Sequence, residues 1–314
     1  MSLLDAPVVA HVVRDGFVES VHRGLAVVTS PEGAVERAWG DPGTPILSRS
    51  SLKPLQAVAM LRAGADLAGE SLALACASHS GEEGHLAGVR ASLAASGLGV
   101  EALRNTAGRP VGEAALEAWL RAGHGDERIA HNCSGKHAGM LAACRAAGWD
   151  EGSYLDRDHP LQVLVAATVT ELAGEPIVAT ATDGCGAPVH AFALAGLARA
   201  FGRIAAAQEG AEARVAGAMR AHPWFVGGTG RPDSVLMAHV PGVIAKAGAE
   251  AVIAVGLPDG RGLAVKIADG ARAAEVVAAA VLAGLGLPAD ALARLGDVPV
   301  LGHGERVGSV VAVV

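Results

Sequence analysis

The chain has 314 residues and a formal net charge of −7; 51% of its residues are hydrophobic but only 3% aromatic. That composition supplies enough apolar surface for a core of Ala, Val and Leu rather than rings. It excludes a nucleic-acid-binding surface, because no basic stripe interleaved with aromatics is present.

Residues 1–12 lack the basic start and sustained apolar run of a signal peptide. The apolar run 276–287 is too short to span a bilayer. Cys76, Cys133, Cys144 and Cys185 are too sparse for a disulfide framework, so free thiols in a cytoplasmic protein are expected.

Residues 8–13 and 18–29 alternate weakly and carry β-branched side chains, which predicts two strands joined by a turn at Arg14-Asp15-Gly16. Helical periodicity begins at Ser51, where Leu52, Leu55, Val58, Ala59 and Leu61 share one stripe. Residues 71–77 read as a buried apolar segment. Helices are predicted over 83–95, 113–122, 137–147, 161–172, 189–200 and 211–221. Strands follow at 243–244, 251–255, 262–267 and 310–314, interrupted by a helix over 273–285. Strands at both ends with helices between them predict a mixed α/β (α+β) fold, in which the terminal strands share one helix-flanked sheet. The whole of 1–314 reads as one unit, with a helical subregion at about 80–220.

Five segments carry chemistry. In Ser50-Ser51-Leu52-Lys53 the Ser-x-x-Lys spacing places both side chains on one helix face. Pro54 puts the motif at the helix N-terminus, where the partial positive charge favours an alkoxide. A lysine of lowered pKa can take the serine proton. Taken alone, the motif reads as readily as a helix cap, with Ser51 the better N-cap.

The segment Cys76-Ala77-Ser78-His79-Ser80-Gly81-Glu82 follows a buried stretch and aims hydroxyls towards a cleft. Ser80 is a candidate proton relay, and Glu82 a candidate partner for a substrate amine. His131-Asn132-Cys133-Ser134-Gly135-Lys136-His137 concentrates reactive groups just before a helix, which suits a metal or substrate site. In Thr182-Asp183-Gly184-Cys185-Gly186-Ala187-Pro188, glycines flank Cys185 and allow close backbone approach. Asp183 there is suited to a substrate ammonium. Lys266 sits inside a predicted apolar strand, where a lysine is costly to bury unless it is paired or neutral. Lys246 precedes Ala247-Gly248.

Of the 25 basic residues only Lys53, Lys136, Lys246 and Lys266 are lysine. Lysine can lose its proton in a protein and arginine effectively cannot, so these four are candidates for work that arginine could not do.

The ordered set Ser-x-x-Lys-Pro, Ser-His-Ser-Gly-Glu, His-Asn-Cys-Ser-Gly-Lys-His, Thr-Asp-Gly-Cys-Gly-x-Pro and Val-Lys-Ile-x-Asp-Gly, running from Ser50 to Gly270, resembles the Rhizobium etli type of L-asparaginase, also called asparaginase II or class 3. The resemblance implies a fold similar to serine β-lactamases, penicillin-binding proteins and glutaminases. It implies hydrolysis of L-asparagine to L-aspartate and ammonia through an acyl-enzyme, in a homodimer. Ser50 and Lys53 match the family's first Ser–Lys pair. Ser80 and Lys266 match the second, with Ser78 and Lys246 as rivals. Cys133, Lys136 and Cys185 match zinc-binding residues, Asn132 and Asp183 line the pocket beside them, and Arg49 precedes the nucleophile. Either Ser50 or Ser80 is the attacking group. The alternatives are a glutaminase, a β-lactamase-like serine hydrolase, and a non-catalytic zinc- or amino-acid-binding protein.

Overall fold

The computed structural model describes residues 3–314. The chain opens with a hairpin, β1 (Val8–Arg14) and β2 (Phe17–Thr29), followed by β3 (Val35–Trp39) and β4 (Pro45–Leu47). Its turn is the expected one: Asp15 and Gly16 both take positive φ, at 47° and 80°, which matches a tight turn to the strand twist. Six helices come next: α1 (Lys53–Arg62), α2 (Gly69–Ala75), α3 (Glu83–Ala95), α4 (Glu113–Arg121), α5 (Ser134–Ala147) and α6 (Pro160–Ala173). Gly148 and Gly174 close α5 and α6 in the left-handed conformation that glycine adopts without penalty.

Then come β5 (Ala179–Thr182), β6 (Pro188–Ala193), α7 (Leu194–Ala206), α8 (Gly210–Ala221), α9 (Pro223–Val226) and α10 (Pro232–His239). The chain finishes with β7 (Ile244–Gly248), β8 (Val252–Gly256), β9 (Gly262–Ile267), α11 (Ala274–Gly284), α12 (Ala289–Gly296), β10 (Pro299–Gly302) and β11 (Glu305–Ala312).

The main sheet runs β10-β11-β1-β2-β9-β8-β7, with β3 also paired to β2. Every pairing in it is antiparallel. The two ends of the chain do share this sheet, since Val12 lies opposite Val310 and Ala10 opposite Ala312. The mixed α/β architecture is therefore the one expected. Strand β8 is buried along its whole length. Alternate residues point to opposite faces, so both faces are covered, with α7 and α11 the helices packed on β8 and β9. Helix α7 comes very close: a Cβ on Gly262 would stand 1.8 Å from the Ala198 carbonyl oxygen.

One expectation is corrected. Residues 189–200, read as a helix, split into strand β6 and helix α7. Strand β6 lies between β4 and β5 in a second, three-stranded sheet. The run Val189 to Phe192 is buried throughout, His190 included, so it carries no alternation to separate a strand from a buried helix.

Helix α1 sits at the centre of the helical layer, packed on α2, α5, α6 and α8. Every residue from Lys53 to Leu61 is buried, so no solvent-facing stripe remains. Its N-terminus is preceded by a 3₁₀ turn, Arg49–Leu52, which abuts β7. This contact between helix start and sheet positions the site.

Candidate active site

Ser50 lies in the 3₁₀ turn and Lys53 opens α1, with Pro54 in the first helical turn as predicted. The neighbouring serines are structural. Ser51 donates to the Ser48 carbonyl at 2.5 Å, and Ser48 donates to the His190 carbonyl at 3.2 Å. Ser51 thus bonds back into the 3₁₀ turn instead of capping α1, which corrects the N-cap expectation. Among the described residues nothing hydrogen-bonds the Ser50 hydroxyl, which leaves it free for a ligand.

Arg49, just before it, holds a left-handed φ of 49°, a conformation costing a non-glycine residue roughly 1–2 kcal/mol. Its Nε donates to Asp183 Oδ1 at 2.8 Å, and its Nη1 lies 3.8 Å from Glu250 Oε1. These contacts fix the turn that presents Ser50. Gly248, at the end of β7, lets the sheet reach it: a Cβ there would sit 3.0 Å from the Ser48 carbonyl oxygen and 3.3 Å from the Ser50 nitrogen.

Lys53 is the hub. Its Nζ donates to the Ala77 carbonyl at 2.5 Å and to Ser78 Oγ at 2.9 Å, and lies 3.1 Å from Cys133 Sγ. None of these partners is a carboxylate. Burial pushes the Lys53 amine below the ordinary lysine range, and the charges of Lys136 and Lys246 push the same way against the opposing influence of Cys133. This is the condition under which a lysine serves as a base.

Residues 78–80 are held from both sides. The Ser78 and Ser80 N–H groups donate to the Val226 and Gly227 carbonyls, and His79 N–H donates to the Asn132 carbonyl. That bracing aims Ser78 at Lys53. Ser80, expected in the second Ser–Lys pair, instead donates to Glu82 Oε1 at 2.6 Å. Lys266 is half-buried and donates to the Glu250 carbonyl near Arg49. Ser80 and Lys266 share no hydrogen bond with each other or with Lys53 among the described residues. It is the rival pair that borders the hub: Ser78 touches Lys53, and Lys246, fully buried on β7, is close enough for its charge to act on Lys53.

Glu82 also differs from the expectation of a free substrate-binding carboxylate. Its Oε1 accepts from Ser80 and the Thr229 N–H, and its Oε2 accepts from the Thr229 hydroxyl. It braces the loop around Gly227–Thr229.

The cysteine cluster adjoins Lys53. Cys133 and Cys185 share a hydrogen bond that pushes the Cys133 thiol up and the Cys185 thiol down, and the Lys136 amine beside Cys185 favours the thiolate form there. Lys136 Nζ lies 3.1 Å from Cys185 Sγ. Burial opposes the Lys136 charge, but the charge on Cys185 and its hydrogen bond with Lys136 outweigh it and raise its pKa. Asn132 Oδ1 accepts from Cys133 Sγ at 3.3 Å, and Asp183 Oδ2 faces Cys185 Sγ at 3.9 Å. Asp183 therefore links the cysteines to Arg49. Behind them, His137 Nδ1 is 2.8 Å from the Tyr154 hydroxyl.

Two sulfurs and one amine converge here, all buried, and that donor set fits a zinc ion once Lys136 and Cys133 give up their protons. Among the described residues no group of three His, Cys, Asp or Glu side chains is arranged for a metal, so any such site depends on Lys136.

Sequence reasoning gave no role to Asp233, which pairs with Lys246, or to Thr229, the partner of Glu82. Neither lies in one of the reactive segments. The signal for Asp233 was Lys246 itself, a lysine on an otherwise apolar strand.

Residues 10–312 match the model of the family described as L-asparaginase II. No curated protein sequence matches the chain. Among solved structures, a β-lactamase from Mycobacterium bovis is similar at 18% identity, covering 83% of this chain and 94% of that chain, with a TM-score of 0.43. No helix among the described residues is long and apolar enough to cross a membrane.

Proposed function

The chain belongs to the L-asparaginase II family, and on that premise we propose that this amidohydrolase converts L-asparagine and water to L-aspartate and ammonia through a serine ester. The observation that carries the reading is the Lys53 amine: buried, without a carboxylate partner, bonded to Ser78 Oγ at 2.9 Å, and at the start of the helix that follows Ser50.

In the proposed mechanism Ser50 Oγ attacks the side-chain amide carbon while neutral Lys53 takes its proton. The Ser50 N–H, at the positive end of α1, stabilises the tetrahedral oxyanion. The proton held by Lys53 passes through Ser78 to the departing nitrogen, which leaves as ammonia. Water then attacks the ester, with Lys53 again accepting a proton, and aspartate is released. The Lys53–Ser78 bond supports Ser78 over Ser80 as the relay, and the burial of Lys246 beside Lys53 supports it over Lys266 as the second lysine. Ser50 is favoured as nucleophile because its hydroxyl is uncommitted, whereas Ser80 is bound to Glu82. The remaining N–H groups of Arg49 suit the substrate carboxylate, and Asp183 and Asn132 suit its ammonium.

Cys133, Lys136 and Cys185 would hold the zinc implied by the family resemblance. When bound, that ion supplies a fixed positive charge beside the pocket. The homodimer implied by the family resemblance and a cytoplasmic location are part of the same proposal, which light scattering of the purified protein and localisation of a tagged chain would check.

The test is ammonia release from L-asparagine and L-glutamine, run beside hydrolysis of a chromogenic β-lactam. The proposal expects turnover of asparagine above the other two. Preferential glutamine turnover would make the chain a glutaminase. β-Lactam turnover without ammonia release would make it a β-lactamase-like hydrolase.

A further inference from the structure

Behind the Ser50–Lys53 cluster lies a buried ion pair that the mechanism above leaves unused. Lys246 Nζ donates to Asp233 Oδ2 at 2.5 Å and to the Ala247 carbonyl at 2.8 Å. Both side chains are sealed, at 0% and 1% exposure. Asp233 stands in the first turn of α10, and its Oδ2 also accepts the Ala247 N–H at 3.4 Å. One carboxylate oxygen therefore grips both the side chain of Lys246 and the backbone of the strand that runs past Ser50.

The other oxygen, Oδ1, has no hydrogen-bond partner among the described residues although it is buried. It packs against Gly227, where a Cβ would stand only 2.4 Å away. Leaving a buried acceptor unpaired is costly, so the carboxylate is not placed here for packing alone.

The two buried lysines of the site thus differ in one respect. Lys246 has a carboxylate, and Lys53 has only a carbonyl, a hydroxyl and a thiol. We propose that Asp233 is a positioning residue that fixes Lys246 as a stationary ammonium beside the reaction. The proposal rests on the reading of Lys246 as the second lysine of the site. The ionisable groups around the pair are Lys53 and Cys76, which sense the charge of Lys246, and Glu275 on α11, which senses the charges of Asp233 and of Arg231. Burial raises the Glu275 carboxyl, so that side chain is a poor substitute for the Asp233 charge.

The experiment is the pH profile of kcat in Asp233→Asn and Asp233→Glu, with Lys246→Met as a separate arm. Without the carboxylate, Lys246 is a buried charge left with only the Ala247 carbonyl, and it sheds its proton as pH rises. Asp233→Asn should lose at least tenfold in kcat, with its alkaline limb displaced to lower pH by more than one unit. Asp233→Glu should keep the wild-type limb. A superimposable profile in Asp233→Asn, or an equal displacement in Asp233→Glu, overturns the proposal.

Lys246→Met tests the underlying reading instead: if it turns over at the wild-type rate, the second-lysine assignment fails, whatever the Asp233 variants do. A further measurement needs no Asp233 variant to fold. With only four lysines in the chain, side-chain ¹⁵N labelling should give a slowly exchanging ammonium signal in the wild-type protein that is lost in Lys246→Met. Absence of any signal lost in that variant contradicts a stationary ammonium.

Discussion

Lys53 and Lys136 are both buried beside Cys133 and Cys185, yet they do opposite things because their neighbours differ. Lys136 is bonded to the Cys185 thiolate, whereas Lys53 meets only neutral acceptors and the thiol of Cys133. Replacing Lys53 with Met keeps the shape and removes the base. This should lower kcat by about 10²–10⁴ with little change in KM, while stability in urea holds or rises by roughly 1 kcal/mol, because a buried amine is no longer desolvated. An ammonia assay and a denaturation curve on the same preparation check both halves. Cys185→Ser should do the reverse. It strips the counter-charge from buried Lys136 and should cost about 3 kcal/mol, read by urea unfolding; Cys133→Ser, which removes a neutral thiol, should cost less. Zinc added to the wild-type protein should raise its melting temperature and release protons, and neither effect should occur in Cys185→Ser.

The Ser-x-x-Lys pair and the Cys133–Lys136 segment were legible residue by residue, because their spacing is local in sequence, whereas Cys185, distant along the chain, was joined to them only through the family resemblance. The choice of Ser78 and Lys246 was not, because it depends on which hydroxyl reaches Lys53 across α1 and on which strand runs beside Ser50.

Elements explain why those choices fell as they did. The segment 78–80 is pinned between Asn132 and residues 226–227, and Glu82 fastens the same loop through Ser80 and Thr229. Burial raises the Glu82 pKa, but the hydrogen bonds from Ser80 and Thr229 outweigh it and leave the carboxyl below its ordinary value. A depressed carboxyl contributes stability above its unfolded pKa and loses it as pH falls through the folded value. Hydrogen exchange in residues 226–231 should therefore quicken as pH falls below about 4.5, once corrected for the intrinsic rate, and Glu82→Gln should show fast exchange there already at neutral pH.

At the other side of the site, Gly248 allows β7 to touch the Ser50 turn. Gly248→Ala should displace the strand by a few tenths of an ångström and cost about tenfold in kcat, with the melting temperature nearly unchanged.

The long helices were readable because their periodicity is strong and their glycine and proline stops are local, and the terminal hairpin because its β-branched strands flank a local Asp15-Gly16 turn. Strand β6 was not, since its apolar run is decided by its partners β4 and β5 rather than by its own pattern.

The whole molecule is closed by its two ends. Strand β11 pairs with β1 on one edge and β10 on the other, so removing 305–312 should expose Ala10 and Val12 and abolish soluble, cooperatively folding protein; expression and thermal melting would show this. That the termini share a sheet was legible from strands at both ends of the sequence, while the strand order was not, because each neighbour is distant along the chain. This sheet and the helical layer meet where the 3₁₀ turn before α1 touches β7, and Ser50 stands at that meeting point. The most direct test of the account is ammonia release from L-asparagine by Ser50→Ala at saturating substrate, measured beside Ser80→Ala and alongside the melting temperature of each. The account predicts a loss of at least about 10³-fold in Ser50→Ala with an unchanged melting temperature, and a much smaller loss in Ser80→Ala. Near-normal turnover in Ser50→Ala would contradict it.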